Sequence, residues 1–96
     1  MRVVYHPAVQ RDVNSILRYY ETVSSNLADE FWKELLHFVE RLAENPGQSH
    51  PAAQGLCRVN LRRFPYHILF RWSPTTIRII VVRHNKRHPS VGLKRI

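Results

Sequence analysis

Tyr66-His67-Ile68-Leu69-Phe70-Arg71-Trp72-Ser73-Pro74-Thr75-Thr76-Ile77-Arg78-Ile79-Ile80-Val81-Val82-Arg83-His84 is the stretch that decides the fold. Two runs of β-branched and aromatic residues flank a Ser-Pro-Thr turn signal, the pattern of two paired strands. Side chains alternate along a strand. In the first run Tyr66, Ile68, Phe70 and Trp72 therefore share one face, and His67, Leu69 and Arg71 the other. In the second, Ile77, Ile79 and Val81 oppose Arg78, Ile80 and Val82. Both sides of its middle are apolar, which predicts a central strand buried on both faces.

Working outward, Leu56–Arg63 alternates as a third strand, with Cys57, Val59 and Leu61 opposite Arg58, Asn60 and Arg62. Residues 46–55 are rich in Pro, Gly, Gln and Ser and read as a loop. Before it, Leu27, Phe31, Leu35, Phe38, Val39 and Leu42 form one apolar helical stripe, which Asn45-Pro46-Gly47 stops. Asn26 or Ser25 is the expected cap of this helix, with Asp29 and Glu30 in its first turn. Glu30–Glu34 and Glu40–Glu44 are like-charge pairs one turn apart, so the helix depends on packing. Val9, Val13, Ile16, Leu17 and Tyr20 define an earlier helix, with Pro7 suited to its first turn. Arg2–His6 precedes it as a short strand. The order is β-α-α-β-β-β. It predicts an α+β domain of two layers, a helix hairpin packed on an antiparallel sheet. One domain covering residues 1–96 is expected.

Charge divides along the chain. The formal net charge is +8. Residues 1–55 carry five basic and all seven acidic side chains; residues 56–96 carry ten basic and none acidic. Such a one-sign half attracts polyanions or an acidic protein. Cys57 is the only cysteine, which excludes an internal disulfide and a cysteine-rich zinc site and suits a reducing, cytoplasmic setting. Among the six histidines only His84 and His88 lie close together, so neither a metal nor another cofactor is expected. No apolar run approaches the roughly 20 residues of a membrane span.

Four pieces of the chain resemble the RelE/ParE superfamily of type II toxin–antitoxin toxins. They are Tyr5-His6-Pro7-Ala8, Asn45-Pro46, the run Arg62-Arg63-Phe64-Pro65-Tyr66-His67-Ile68-Leu69-Phe70, and the run from Ile79 through Arg83-His84-Asn85-Lys86-Arg87-His88-Pro89. Their order and spacing carry the resemblance across nearly the whole chain. The wording is closer to the ParE-like, plasmid-stabilisation branch. The resemblance implies a small basic toxin neutralised by a cognate antitoxin. ParE-like members poison DNA gyrase; RelE-like members cleave messenger RNA on the ribosome. His6 departs from the pattern, since Ser or Thr commonly precedes the proline, and a weaker helix cap is expected.

Metal-independent RNA cleavage needs a group to move protons and cations to hold the crowded phosphate. The available set is Arg63, Arg71, His84, Lys86 and Arg87, with convergence expected on the exposed sheet face. As residues binding nucleic acid or the target the candidates are Arg62, Arg63, Arg71, Arg83, Lys86 and Arg87. No Tyr follows Tyr66 and no carboxylate follows Glu44. The proton-transfer groups that RelE-like ribonucleases often use are therefore reduced to His84 and His88. Three functions stay open: a ParE-like gyrase inhibitor, a ribosome-dependent messenger-RNA endoribonuclease, and a nucleic-acid-binding module without enzymatic activity. The expected partner in the first two is an antitoxin whose acidic, amphipathic segment covers apolar helix surface and part of the basic face.

Overall fold

The computed structural model describes residues 1–96. The chain runs β1 (Arg2–Tyr5), α1 (Val9–Glu21), α2 (Ser25–Glu44), β2 (His50–Pro51), β3 (Cys57–Asn60), β4 (Tyr66–Trp72) and β5 (Thr76–His84). Single turns of 3-10 helix occupy Pro46–Gln48, Ala53–Gly55 and Leu93–Arg95. The helices cover one face of a five-stranded sheet of order β1-β5-β4-β3-β2.

The sheet is mixed, where an antiparallel one was expected. β3, β4 and β5 form the predicted antiparallel meander, but β1 runs parallel to β5, with Val3 opposite Ile77 and Tyr5 opposite Ile79. From β1 the helix hairpin carries the chain to β2 at the far edge, and β3 and β4 bring it back to β5, so the long connection that a parallel neighbour requires is present. The segment read as a loop also holds a strand, since His50 and Pro51 pair with Arg58 and Cys57 at the sheet edge. Proline is tolerated there because an edge strand need not donate on both sides.

The alternation expected for β5 fails after Ile79. The register passes from Phe70–Ile79 to Leu69–Val81, leaving Ile80 unmatched in a β-bulge. Beyond it the faces exchange. Val82 joins Ile77 and Ile79 in the main core, while Ile80 and Val81 pack with Leu56 and Leu69 on the opposite face.

The main core lies between helices and sheet, around the fully buried Phe31, Ile68, Phe70, Ile77 and Ile79. Burial of each such side chain contributes about 1.5–3 kcal/mol. Tyr20, Phe31, Phe64 and Tyr66 form an aromatic cluster with centroid separations from 5.1 Å to 6.2 Å. Trp72 alternates with this core, yet it lies beyond the helices and is 46% exposed. The small second cluster is covered by Leu93, on the C-terminal strap that follows β5. At Gly92 φ is +87°, and a Cβ would fall 2.8 Å from Val81 Cγ2, so only glycine lets the strap lie this close.

Both helix starts differ from expectation. Ser24, not Ser25 or Asn26, caps α2, its Oγ accepting the Leu27 amide at 3.0 Å. That places Asp29 and Glu30 beyond the first turn. α1 begins at Val9, beyond Pro7, and its cap residue Ala8 makes no side-chain bond, in keeping with the weak cap expected; His6 Nδ1 accepts the Ala8 amide at 3.0 Å in the turn before the helix. No helix is long and apolar enough to cross a membrane.

Candidate functional site

The cations singled out from the sequence separate into three places. Arg62 and Arg63 sit in the β3–β4 turn, which α2 holds from below. Glu34 Oε1 accepts the Arg62 and Arg63 amides at 2.9 and 3.0 Å. Arg63 Nη2 reaches Glu30 Oε2 at 3.0 Å, and its guanidinium lies 5.4 Å from the Phe64 ring centre. The like-charge pair Glu30–Glu34 is thereby explained, since both carboxylates face this turn. The Arg63 side chain is 59% exposed, so its ion pair contributes at most about 1 kcal/mol. Glu34, bonded to two backbone amides, is the firmer anchor.

The second place is the end of β5. His67 is 1% exposed. Arg83 Nε donates to His67 Nε2 at 2.8 Å, so the imidazole proton sits on Nδ1, which donates to Asn85 Oδ1 at 2.8 Å. Burial, the largest cause, lowers the His67 pKa, Arg58, Arg83 and His84 acting the same way and the Asn85 bond against it. Arg83 Nη1 donates to the carbonyls of Pro89 at 2.6 Å and Val91 at 2.9 Å. Its guanidinium therefore ties β5 to the strap. Burial and the nearby Arg58 lower its pKa.

His84 and Arg87 line one depression of about 300 Å³, with Arg11, Tyr19, Tyr66 and Arg83. The His84 ring stands 5.0 Å from that of Tyr66, edge to face. His84 Nδ1 accepts the Lys86 amide at 3.0 Å, which leaves Nε2 as the free imidazole position. Burial raises the Tyr66 pKa, and burial followed by the neighbouring Tyr66 pushes Tyr20 up to about 12. Both phenols remain protonated at neutral pH. Lys86 follows in the turn beyond His84, and Ser90 meets His88 Nδ1 at 2.8 Å.

Arg71 is the third place, opposite Arg78 near the other end of β4. At about 3.4 Å per residue it stands roughly 17 Å along the strand from Tyr66. The expected convergence of Arg63, Arg71, His84, Lys86 and Arg87 is thus limited to His84 and Arg87, with Lys86 adjoining.

Two further features lie outside the set of cations, the first on the apolar helix surface expected to meet the antitoxin. An apolar groove of about 710 Å³ runs between α1 and α2, lined by Val9, Val13, Leu17, Trp32, Leu36 and Tyr5 among others. Its signal was Trp32, off the main stripe of α2 and 43% exposed. The other is Asp12. β1 stops opposite Ile79, leaving the β5 edge open, and Asp12 Oδ2 accepts the Val82 amide there at 3.2 Å. The same carboxylate binds Arg95 of the strap at 2.6 and 2.9 Å. These hydrogen bonds hold the Arg95 pKa above its usual value. Nothing in the spacing of residues 12 and 95 announces the pair.

Fold and site together define a small basic α+β domain with an open apolar groove on its helical layer and most of its charge on the other half. The family model described as the ParE toxin of type II toxin–antitoxin systems, parDE, matches residues 3–89. The chain belongs to this family. Toxin ParE2 of Mycobacterium tuberculosis, in strains CDC 1551 / Oshkosh and ATCC 25618 / H37Rv, is 24% identical over 90 residues, spanning 93% of this chain and 86% of the relative. A solved chain of the chromosomal ParDE TA system from P. aeruginosa superposes with a TM-score of 0.77 at 20% identity, covering 88% of this chain and 95% of that one. At that identity the likeness shows the fold.

Proposed function

We propose that the chain arrests growth by a protein contact with DNA gyrase in the cytoplasm, and performs no chemistry of its own. Membership of the ParE family supports this. The observation that carries the choice against RNA cleavage is the dispersal of the cations. Arg63 is tied to α2, Arg83 is filled by His67 and the strap, and Arg71 stands far from His84. An RNA-cleaving centre needs its proton-transfer group and phosphate clamp on one phosphate. Of the residues proposed for RNA cleavage, only His84 and Arg87 share a depression. Induced expression tests the choice. Growth arrest with a DNA-damage response and intact messages is expected. In-frame cuts in translated messages, abolished by His84→Ala, would transfer the proposal to the endoribonuclease.

The partner that neutralises the chain is a cognate antitoxin with an acidic, amphipathic segment. Its apolar side fits the groove between the helices. Glu21 and Asp29 line that groove, so its acidic residues are met outside it, by the basic half. Affinity should fall as salt rises. Affinity unchanged by salt would assign the contact to apolar burial alone.

A further inference from the structure

Three arginines that the preceding sites leave unused lie side by side across the sheet. The register sets Arg71 of β4 opposite Arg78 of β5. On the other side of β5, Arg2 of β1 pairs with Thr76, two residues from Arg78. Val3, Phe70, Ile77 and Ile79 take the helix side of the sheet. Alternation therefore puts Arg2, Arg71 and Arg78 together on the opposite face, where all three are exposed. Neither ion pair of the chain involves them. Arg58 of β3 continues the row, since its partner Leu69 lies two residues from Arg71.

Like charges directly opposite on neighbouring strands destabilise a sheet. This half of the chain has no carboxylate to relieve them. Strands are about 4.8 Å apart and Arg2 is offset from Arg78 by two residues, so the first three arginines form an oblique line roughly 12 Å long on an open surface. A linear array of fixed positive charge complements a linear array of phosphates, which guanidinium groups bind in bidentate fashion. The same alternation turns the exposed Tyr5 and Trp72 to the helix side, so the row has no aromatic platform beside it. Proteins that grip single strands rely on such stacking.

We propose that Arg2, Arg71 and Arg78, extended by Arg58, form a contact surface for the phosphate backbone of duplex DNA. The choice of DNA rests on the gyrase proposal; the row of charge does not. The surface is separate from the His84–Arg87 depression.

The test is fluorescence anisotropy of the full chain with a labelled DNA duplex of about 20 base pairs, over a range of salt. The double substitution Arg71→Gln, Arg78→Gln should weaken binding at low salt at least about tenfold. It should also reduce the slope of log affinity against log salt by about 2, one per phosphate contact. Lys33→Gln with Arg41→Gln removes the same charge from α2 and should change both less. Thermal melts establish that each variant is folded. Equal losses in the two double variants would overturn the proposal, as would single-stranded DNA binding as tightly as duplex. Polyglutamate binding where duplex DNA does not would also overturn it, and assign the row to an acidic protein. A supercoiling assay separates the two proposals. Duplex binding through the row with gyrase unaffected would sink the gyrase reading and leave this one standing; gyrase inhibition without duplex binding would do the reverse.

Discussion

Replacing Asp12 by alanine is expected to cost this fold about 3–4 kcal/mol. Asp12 and Arg95 are joined by two short hydrogen bonds, with side chains only 14% and 19% exposed. Removing one partner of a buried pair costs about 3–5 kcal/mol, because the other charge is stranded. Both groups keep some contact with water, so a figure just below that range, about 2–3 kcal/mol, applies here. The Val82 amide also loses its acceptor, which adds about 1 kcal/mol. For a domain of this size each kcal/mol lowers the midpoint by about 4–8 °C, giving a fall of roughly 12–32 °C. Thermal and urea unfolding of Asp12→Ala, Arg95→Ala and the double variant measure it. The coupling energy should be about 1–3 kcal/mol. Additive losses, within about 0.5 kcal/mol, would refute a strap fastened by this pair.

Three further outcomes follow from the same contacts. His67 is buried neutral, with its pKa lowered from 6.5, so its stabilising effect is complete above about 6.5 and is lost as pH falls towards the folded value. Thermal midpoints should therefore drop more steeply on acidification in the native chain than in His67→Gln; parallel curves would contradict this. Gly92→Ala should destabilise by about 2–4 kcal/mol, from the left-handed backbone and the collision with Val81, and should expose the strap to limited proteolysis. A change under about 0.5 kcal/mol would mean that the strap lies elsewhere. Trp32→Ala should leave folding intact yet weaken antitoxin binding at least about tenfold by calorimetry; unaltered affinity would move the antitoxin off the groove.

The elements were legible because each carries a local signal. The stripe from Leu27 to Leu42 and the alternation from Tyr66 to Trp72 state their period within a few residues. The bulge at Ile80 was not legible, because a continuous apolar run gives no cue as to which residue is left unpaired. β2 was hidden because its two residues, His50 and Pro51, are strand only through pairing with β3. His6 read as a poor cap by residue type, and α1 has no side-chain cap; what residue type did not show is that the His6 ring nitrogen accepts the Ala8 amide in the turn before it. The candidate site was legible as a composition and not as a place. Positive charge could be counted, but the carboxylates that occupy it come from helices 33 to 83 residues away, as in Glu30 with Arg63 and Asp12 with Arg95.

The proposed target of this chain is gyrase, disabled through a protein contact. Purified chain, purified gyrase and relaxed plasmid test it most directly. Supercoiling should fall as the chain is added, should recover when antitoxin is supplied, and should fall equally with His84→Ala. Undiminished supercoiling, together with ribosome-dependent message cleavage that His84→Ala abolishes, would contradict the claim.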